Sequence, residues 1–425
     1  MRITVIAFIL LMAATRMNAQ KIDSVQVRAT ESILASDAMR GRATFTPDIE
    51  RAADYIESRF KHAGLKTWNG SDSYRQSFAM VRTTPVSATA TLADSVLPAG
   101  HVMALSSASD LQVDQNSGYE KAYIRAGANF VMEVLHYLHE KKNYVVFVDT
   151  SFTSSFARVG RFGRQQFKTD RSIVFVLTSS DPSTWSVHVE QQVKESPLAN
   201  VVGILPGHGE KKDEIVIFSA HYDHLGVGKP DEKGDSIFNG ANDDASGTTA
   251  VLMLADYFAK KKHNARTLVF ATFTAEEIGE FGSQYFSGQF NPDSVVAMFN
   301  IEMIGTESKW GRNSAYITGY ERSDMGNILE KNLTGSGFSF HPDPYPDQNL
   351  FYRSDNATLA RLGVPAHTIS TSKMDSEKYY HTRGDEIGTL DMSNMAQIIK
   401  AIAISSTSIV NGKDTPSRVD TAKMR

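Results

Sequence analysis

From Val201 onward, short runs of apolar residues alternate with helix-patterned segments, and this alternation limits the possible folds more than any other feature. The clearest strands are EIVIFSAH, RTLVFATF and the run from Ser294 to Glu302. Between the first two lies DDASGTTAVLMLADYFAKKK, a predicted helix with an Asp-rich start and a Lys-rich end. Apolar strands separated by helices are typical of a mostly parallel sheet with both faces covered. We therefore predict an α/β fold with a central mixed, mostly parallel sheet covered by helices.

Residues of the types that can bind metal ions or transfer protons lie at the ends of these strands or soon after them. They are His221, Asp243, Glu276, Glu277, Glu302 and His381. Ligands of open α/β sheets bind beyond the carboxyl ends of the strands, so we expect these side chains to converge. Two imidazoles and three carboxylates make a nitrogen and oxygen ligand set suited to two zinc ions. The sequence thus predicts a dinuclear zinc site at this edge of the sheet.

One carboxylate is left over beside this ligand set. Glu276 and Glu277 point in different directions if the chain is extended there, so one can bind metal while the other faces a bound water. A spare carboxylate next to a ligand is what a water-splitting hydrolase needs as a base. Two residues after His221, Asp223 can accept the second imidazole N–H and fix the ring tautomer. His224 is predicted to be structural or to line the rim.

Other chemistries have little support in the sequence. Single motifs such as an Asp pair or a Glu pair are common in structural roles, but here several of them follow apolar strands. The chain has no cysteine and no G-x-S-x-G motif, so covalent hydrolysis by a thiol or serine has no motif support. A formal charge of -4 over 425 residues gives no reason to expect nucleic acid or an anionic membrane as a partner.

The segments HYDHLG, GANDDASG, TAEEIGEFGS, NIEMIG and YHTRGDE resemble those of the dinuclear-zinc exopeptidases of metallopeptidase family twenty-eight. This family includes secreted aminopeptidases, glutamate carboxypeptidases and glutaminyl cyclases. The resemblance spans about Val201 to Asp385, and the early segment MRGRATFTPDIERAADYI also resembles the family's leading segment. It implies the zinc-exopeptidase fold, with two zinc ions per chain.

The resemblance also implies a role for each site residue. Asp243 would bridge the two ions. His221 and Glu302 would bind one ion, and Glu277 and His381 would bind the other. The division of these terminal ligands stays open at this point. Glu276 would be the general base and acid, and Tyr380 would help to hold the oxyanion. The peptide bond after Asp243 is often cis in the family.

Two positions depart from the family pattern. Glu302 stands where many members have Asp, which puts the reach to the second ion in doubt. Asn356 follows Ser354 and Asp355 where many members have His, so a role of that histidine toward substrate does not carry over.

The resemblance, together with the carboxylate-rich ligand set, implies a secreted zinc aminopeptidase acting on peptides with a free N-terminus. Alternatives within the family are a carboxypeptidase or dipeptidase and a glutaminyl cyclase. A non-catalytic binding protein on the same fold is a further alternative, but it predicts lost ligands, and all five ligand positions are filled.

The N-terminal segment MRITVIAFILLMAATRMNAQ has the pattern of a secretory signal peptide. Arg2 precedes an apolar run, Ile3 to Ala14, which is too short to span a bilayer comfortably. We therefore expect residues 1–19 to be removed, and the mature chain to be periplasmic or extracellular without a membrane contact.

The rest of the chain is predicted to contain three parts. Residues 20–84 form the N-terminal helical part of the peptidase domain, with helices over Ser24–Leu34 and Ile49–Ala63. Residues 85–190 read as a β-rich insertion with one helical run, at the place where relatives carry a protease-associated domain. Residues 191–425 form the zinc peptidase catalytic domain.

Overall fold

The computed structural model of this chain describes residues 22–98, 100–140, 142–162 and 165–424. The predicted signal peptide, residues 1–19, lies outside the described residues. The chain divides into two compact units: unit 1 comprises the residues up to Gln76 and those from Asn200 onward, and unit 2 comprises Ser77–Ala199. Unit 2 contains the whole of the predicted insertion, 85–190, and is longer at both ends. The assignment of that insertion to the protease-associated type stays a prediction.

The helices in chain order are α1 (Ser24–Leu34), α2 (Pro47–Ala63), α3 (Phe130–His139), α4 (Thr153–Phe156), α5 (Val159–Phe162), α6 (Ser246–Lys261), α7 (Phe281–Ser287), α8 (Met325–Asn332), α9 (Asn356–Ala360), α10 (Met392–Ser405) and α11 (Thr407–Val410). The strands are β1 (Arg75–Leu92), β2 (Ser95–Val96), β3 (Val102–Ser106), β4 (Asp110–Asp114), β5 (Glu120–Ile124), β6 (Tyr144–Val148), β7 (Gln166–Phe167), β8 (Ser172–Leu177), β9 (Trp185–Leu205), β10 (Ile215–His221), β11 (Gly226–Val227), β12 (Ile237–Phe238), β13 (Thr267–Phe273), β14 (Val295–Ile301), β15 (Ser314–Ile317), β16 (Ser339–Pro342) and β17 (Ala366–Ser370).

A mixed sheet forms the centre of unit 1. Its strands follow the order β16–β15–β17–β14–β10–β13, and the last residues of β9 complete it. β10 runs parallel to both of its neighbours, β13 and β14, and β14 runs parallel to β17. β9 joins β13 in antiparallel orientation, and β15 joins β17 in the same way. The prediction of a mixed, mostly parallel sheet is therefore confirmed.

Both faces of this sheet are buried, which explains why its strands are apolar throughout. On one face Phe218 stacks between Phe270 and Phe299, at ring-centroid distances of 5.6 and 5.0 Å. That core also contains residues of α1, α2, α6 and α10. On the other face Ile217 and Val269 pack in a second core with residues of α7 and α9.

The bounds of α1 agree with the prediction, whereas α2 and α6 begin at other residues than predicted. α1 begins and ends where predicted, with the Asp23 carboxylate accepting the N–H groups of Val25 and Gln26. α2 begins two residues earlier than predicted because Thr46 caps it and Pro47 occupies its first position. The prediction that α6 starts with the Asp pair is wrong: these residues lie in a separate turn, Ala241–Ala245, that precedes the helix.

Unit 2 contains a four-stranded sheet of its own, in the order β3–β8–β6–β5. β6 runs parallel to β5 and β8, and β3 is antiparallel to β8. The helical run predicted here forms α3, which begins after Asn129, whose side chain accepts the Met132 N–H. None of the predicted site residues belongs to this unit.

Among the described residues, no helix has both the length and the apolar character needed to cross a membrane.

Candidate metal centre

The predicted ligands come from three neighbouring parallel strands and two loops of unit 1. His221 is the last residue of β10, Glu277 follows β13, and Glu302 directly follows β14. Since β10 is parallel to β13 and β14, all three strands end at the same edge of the sheet. Asp243 lies in the turn before α6, and His381 lies in the loop between β17 and α10.

The structure brings these residues into two groups that could each hold a metal ion. One group contains His221, Asp243 and Glu302, and the other contains Asp243, Glu277, His381 and also His224. Within each group the candidate ligand atoms lie within 4.8 Å of one another. Asp243 belongs to both groups, and the terminal ligands divide in the way that the family resemblance implies. The peptide bond between Asp243 and Asp244 is cis.

The contacts between ring nitrogens and carboxylates have the spacing of ligands around a shared ion. His221 Nε2 lies 3.2 Å from Asp243 Oδ1, and His381 Nε2 lies 3.2 Å from Asp243 Oδ2. Tetrahedral coordination with Zn–N and Zn–O bonds of about 2.0–2.2 Å would separate the ligand atoms by roughly 3.3 Å. Both of these Nε2 atoms and Asp243 Oδ2 are buried and have no hydrogen-bond partner among the described residues. The residues present therefore fit a pair of zinc ions.

The pKa values within the two groups show how strongly the groups attract cations. Burial disfavours charge on Asp243, but the facing rings of His221 and His381 outweigh it and hold the pKa of Asp243 below its ordinary value. Contacts with Asp243 and Glu277 raise the pKa of His381 to about 10. Since imidazole binds metal only when it is neutral, an ion bound here would displace these protons.

Glu276 stands apart from both groups. Its Oε2 lies 3.9 Å from His221 Nε2, and its side chain is only 14% exposed. Burial raises the pKa of Glu276 well above its ordinary value; His221 opposes this shift, and Glu302 adds to it. Glu276 therefore has the position and the proton affinity of a group that takes up and returns a proton.

The chain around Glu276 and Glu277 is not extended, so the condition under which the two side chains were predicted to point in different directions is not met. Ala275 has a φ of 59° and turns the backbone after β13. The Asp223 carboxylate accepts the backbone N–H of Glu276 at 3.1 Å and that of Glu277 at 3.4 Å. This turn, held by Asp223, is what separates the directions of the two glutamates.

Asp223 acts on His221 through a different atom from the one predicted. His221 Nδ1 is 3.1 Å from the backbone carbonyl of Asp223, whereas the carboxylate Oδ1 is 3.8 Å away. The carbonyl thus accepts the ring N–H and leaves Nε2 of His221 for an ion. The carboxylate is already occupied by Thr44 and by the two glutamate N–H groups.

Two residues without a predicted role hold the turn that carries Asp243. The Asp385 carboxylate accepts the backbone N–H of Asn242 at 2.7 Å and that of Asp243 at 3.0 Å. The buried Arg42 donates to the carbonyls of Leu34, Tyr222, Asn239 and Gly240. Both residues occur in segments that resemble the family, but no local pattern indicates contacts over such long sequence separations.

Of the two alternatives predicted for His224, a structural position and a place on the rim of the site, the structure excludes the rim. His224 is 2% exposed, so it does not line the rim. Its Nδ1 lies 2.8 Å from Glu277 Oε1 and 3.8 Å from Asp243 Oδ2. The sequence signal for these contacts was the position of His224 three residues after His221, in a segment that already contains ligand-type residues.

Tyr380 lies at the open side of the centre. Its ring stacks on His381 at a centroid distance of 3.9 Å and is 37% exposed. It also lines a small cavity of about 50 Å³ beside Glu302, which accepts a hydrogen bond from Ser354. The residues that line this cavity include Glu302, Met303, Tyr316, Arg353, Ser354 and Tyr380.

Comparison with known proteins points to one class of hydrolase. The sequence model of Peptidase family M28 matches residues 200–405. Leucine aminopeptidase 1 of Ajellomyces capsulatus (strain H88) is 26% identical over 318 residues, which cover 68% of this chain and 78% of that protein.

Two solved structures share the fold over nearly their whole length. The aminopeptidase from Aneurinibacillus sp. strain AM-1 has a TM-score of 0.54 at 18% identity, with 96% of this chain and 97% of that chain covered. BSAP, a zinc aminopeptidase from Bacillus subtilis, has a TM-score of 0.54 at 16% identity, with coverage of 95% and 97%. At these identities the likeness concerns the fold alone.

Proposed function

Because this chain is a zinc-dependent metallopeptidase with a family M28 domain at residues 200–405, we propose that it is an exported aminopeptidase that removes the N-terminal residue of peptides. The observation that carries this proposal is the pair of ligand groups that share Asp243, with Glu276 beside them and outside both. A hydrolase of this kind needs that arrangement, because the base must reach the attacking water without binding an ion itself.

His221, Asp243 and Glu302 would hold one zinc ion, and Asp243, Glu277 and His381 would hold the other. When bound, the ions supply Lewis acidity that lowers the pKa of a water molecule and polarises the substrate carbonyl. Glu276 takes a proton from the attacking water and delivers it to the leaving amine. The raised pKa of Glu276 supports both halves of this role, since the group must hold the proton between the two steps.

The remaining groups favour a substrate with a free amino terminus. The site is rich in carboxylates, since Asp243, Glu277 and Glu302 belong to its ligand groups and Glu276 lies beside them, and such a site favours a substrate that carries a cation. Tyr380 is partly exposed, and its ring stacks on His381. We assign its hydroxyl as the donor to the carbonyl oxygen of the scissile bond, which becomes negatively charged during the reaction. The export part of the proposal depends on the signal pattern of residues 1–19.

The proposal is tested with the purified mature chain on a matched substrate set. An aminoacyl chromogenic substrate should be hydrolysed, and its N-acetylated counterpart should not, because acetylation removes the cation. A glutamyl-terminated substrate tests the carboxypeptidase alternative, and conversion of an N-terminal glutaminyl peptide tests the cyclase. Elemental analysis of the same sample should give close to two zinc ions per chain. Equal hydrolysis of the acetylated substrate would rule out an aminopeptidase.

A further inference from the structure

We propose that His224 is a positioning residue of the metal centre: its Nδ1–H donates to one oxygen of Glu277 and so aims the other oxygen at the ion. His224 itself then binds no metal. This inference rests on the proposed function in one respect only, that Glu277 is a zinc ligand.

The two oxygens of Glu277 face two different histidines. Oε1 lies 2.8 Å from His224 Nδ1, and Oε2 lies 3.0 Å from His381 Nε2. The shorter separation is that of a charge-assisted N–H···O hydrogen bond, about 2.7–2.9 Å, and is shorter than the roughly 3.3 Å between two ligands of one zinc ion. His224 Nδ1 is also farther from the bridging carboxylate, at 3.8 Å from Asp243 Oδ2, than His381 Nε2 is, at 3.2 Å.

The surroundings of the second ring nitrogen of His224 distinguish a metal ligand from a hydrogen-bond donor to Glu277. Nε2 is buried and has no hydrogen-bond partner among the residues that the structure describes. If Nδ1 bound an ion, the proton of the neutral ring would sit on Nε2, and a buried N–H donor would be left without an acceptor. If Nδ1 carries the proton, Glu277 accepts it and Nε2 is left as an acceptor; among backbone groups, buried acceptors without a partner are less rare than buried N–H donors without one.

His221, which is assigned as a ligand, shows the opposite pattern. His221 directs Nδ1 to the backbone carbonyl of Asp223 at 3.1 Å, so its proton is satisfied there and Nε2 faces Asp243. That is how a ligating histidine is usually held, with one nitrogen bonded to a carbonyl and the other on the metal. Among the described residues His224 Nε2 has no such acceptor, and the bonded nitrogen, Nδ1, points into the ligand set.

Packing fixes the ring of His224 in this orientation. Its backbone N–H donates to the Arg42 carbonyl at 3.2 Å, and it forms an isolated β-bridge with Ala43. On its other side lies Gly240, with φ of 56°, where an added Cβ would come within 2.5 Å of ring carbons of His224. A ring enclosed in this way keeps the Glu277 carboxylate in one rotamer before an ion arrives.

Two variants at this position separate hydrogen bonding from ring packing. His224→Phe keeps the ring and removes the donor, so we expect zinc affinity, measured by competition with a chelator, to fall about 10–100-fold. His224→Asn offers an amide N–H near the place of Nδ1, so we expect it to recover most of that loss. Unchanged affinity in His224→Phe, or no recovery in His224→Asn, would overturn the proposal.

His367→Phe is the matched control. His367 is as buried as His224, but its ring nitrogens contact the Thr318 carbonyl and the Ser323 hydroxyl. Its replacement should leave zinc affinity unchanged even if stability falls. A loss equal to that of His224→Phe would mean that any buried-histidine replacement weakens zinc binding, and the proposal would fail.

A measurement on the unaltered chain covers the case in which a variant does not fold. The chain is labelled with ¹⁵N-histidine and loaded with ¹¹³Cd in place of zinc. His224 Nδ1 should show a directly bonded proton and no coupling to cadmium, whereas His221 and His381 should show the coupling. Cadmium coupling at His224 would make it a ligand and overturn the proposal. Neither measurement uses substrate, so failure of the aminopeptidase assignment would show only in the substrate panel.

Discussion

Glu276 and Glu277 are adjacent in sequence, yet their surroundings give them opposite acidities. Burial raises the pKa of both, but contacts with His224 and His381 outweigh it at Glu277 and lower the pKa there. At Glu276 burial prevails, and the pKa rises well above its ordinary value. Pairs of carboxylates whose pKa values are driven apart commonly divide the roles of proton carrier and charged group. Local patterns predict the pair, and only the family resemblance implies its division, because that division depends on the turn at Ala275 and on His224.

This division predicts different losses in two single-atom variants. Glu276→Gln should bind zinc nearly normally and lose at least about 10²-fold in turnover, since an amide cannot carry the proton. Glu277→Gln should lose zinc as well as turnover, because an amide is a weak ligand. Zinc content and turnover of the two variants are measured side by side. If Glu276→Gln kept more than about a tenth of wild-type turnover, the assigned base would be wrong.

At the scale of elements, the turn Ala241–Ala245 depends on partners far along the chain. Asp385 holds two of its N–H groups, and Arg42 bonds the carbonyls of Asn239 and Gly240 just before it. Both partners lie more than 100 residues away in sequence.

Asp385→Asn tests this dependence. One end of the new amide is an N–H donor that faces a backbone N–H, so we expect a loss of about 1–3 kcal/mol in unfolding free energy and weaker zinc binding. Asp391→Asn is the control, because Asp391 also accepts two backbone N–H groups, at the start of α10, and Asn caps helices as well as Asp does. Denaturant unfolding and chelator competition give the two quantities. Equal zinc affinity in Asp385→Asn and the wild type would show that the turn does not need Asp385.

The same turn marks the limit of prediction from sequence. Local patterns in the sequence predicted the class of the sheet, the edge of the sheet at which the ligands gather and the bounds of α1. These features follow from short-range periodicity. The local patterns misassigned the Asp pair to the start of α6, since acidic residues at a helix start are an ordinary local signal. The true conformation is set by Asp385 and Arg42, whose contacts no local window contains. The contact of His224 with Glu277 could not be predicted for the same reason, because the two residues are 53 positions apart.

For the whole molecule, the candidate ligands all lie in unit 1, between residues 221 and 381. Removal of the ions would leave buried acids, among them Asp244 and Glu302, without a neutralising cation. Burial already raises the pKa of both, so their charged forms are disfavoured in the folded chain.

Metal removal should therefore loosen one unit selectively. Each site contributes about 2.7 kcal/mol when free zinc is 100-fold above its dissociation constant, and this contribution is lost on chelation. Hydrogen exchange followed by mass spectrometry should speed up in peptides covering β10, the Ala241–Ala245 turn and α6. Peptides covering β6 and β8 of unit 2 serve as the internal control and should exchange at unchanged rates. Equal acceleration in both sets would contradict the confinement of the ions to unit 1.

The point at which the chain leaves unit 1 and returns to it has a consequence for how the gene can vary. The side chains of Gln76 and Asn200, 124 positions apart, share a hydrogen bond of 2.8 Å, and the Val202 N–H bonds the Tyr74 carbonyl beside them at 2.8 Å. The chain thus leaves unit 1 and re-enters it at one point. Unit 1 is therefore closed by its own hydrogen bonds at the point where the sequence Ser77–Ala199 is inserted into it. Insertions, deletions or wholesale exchange in that stretch can accumulate without displacing a ligand, because domain insertion is tolerated where the two ends meet.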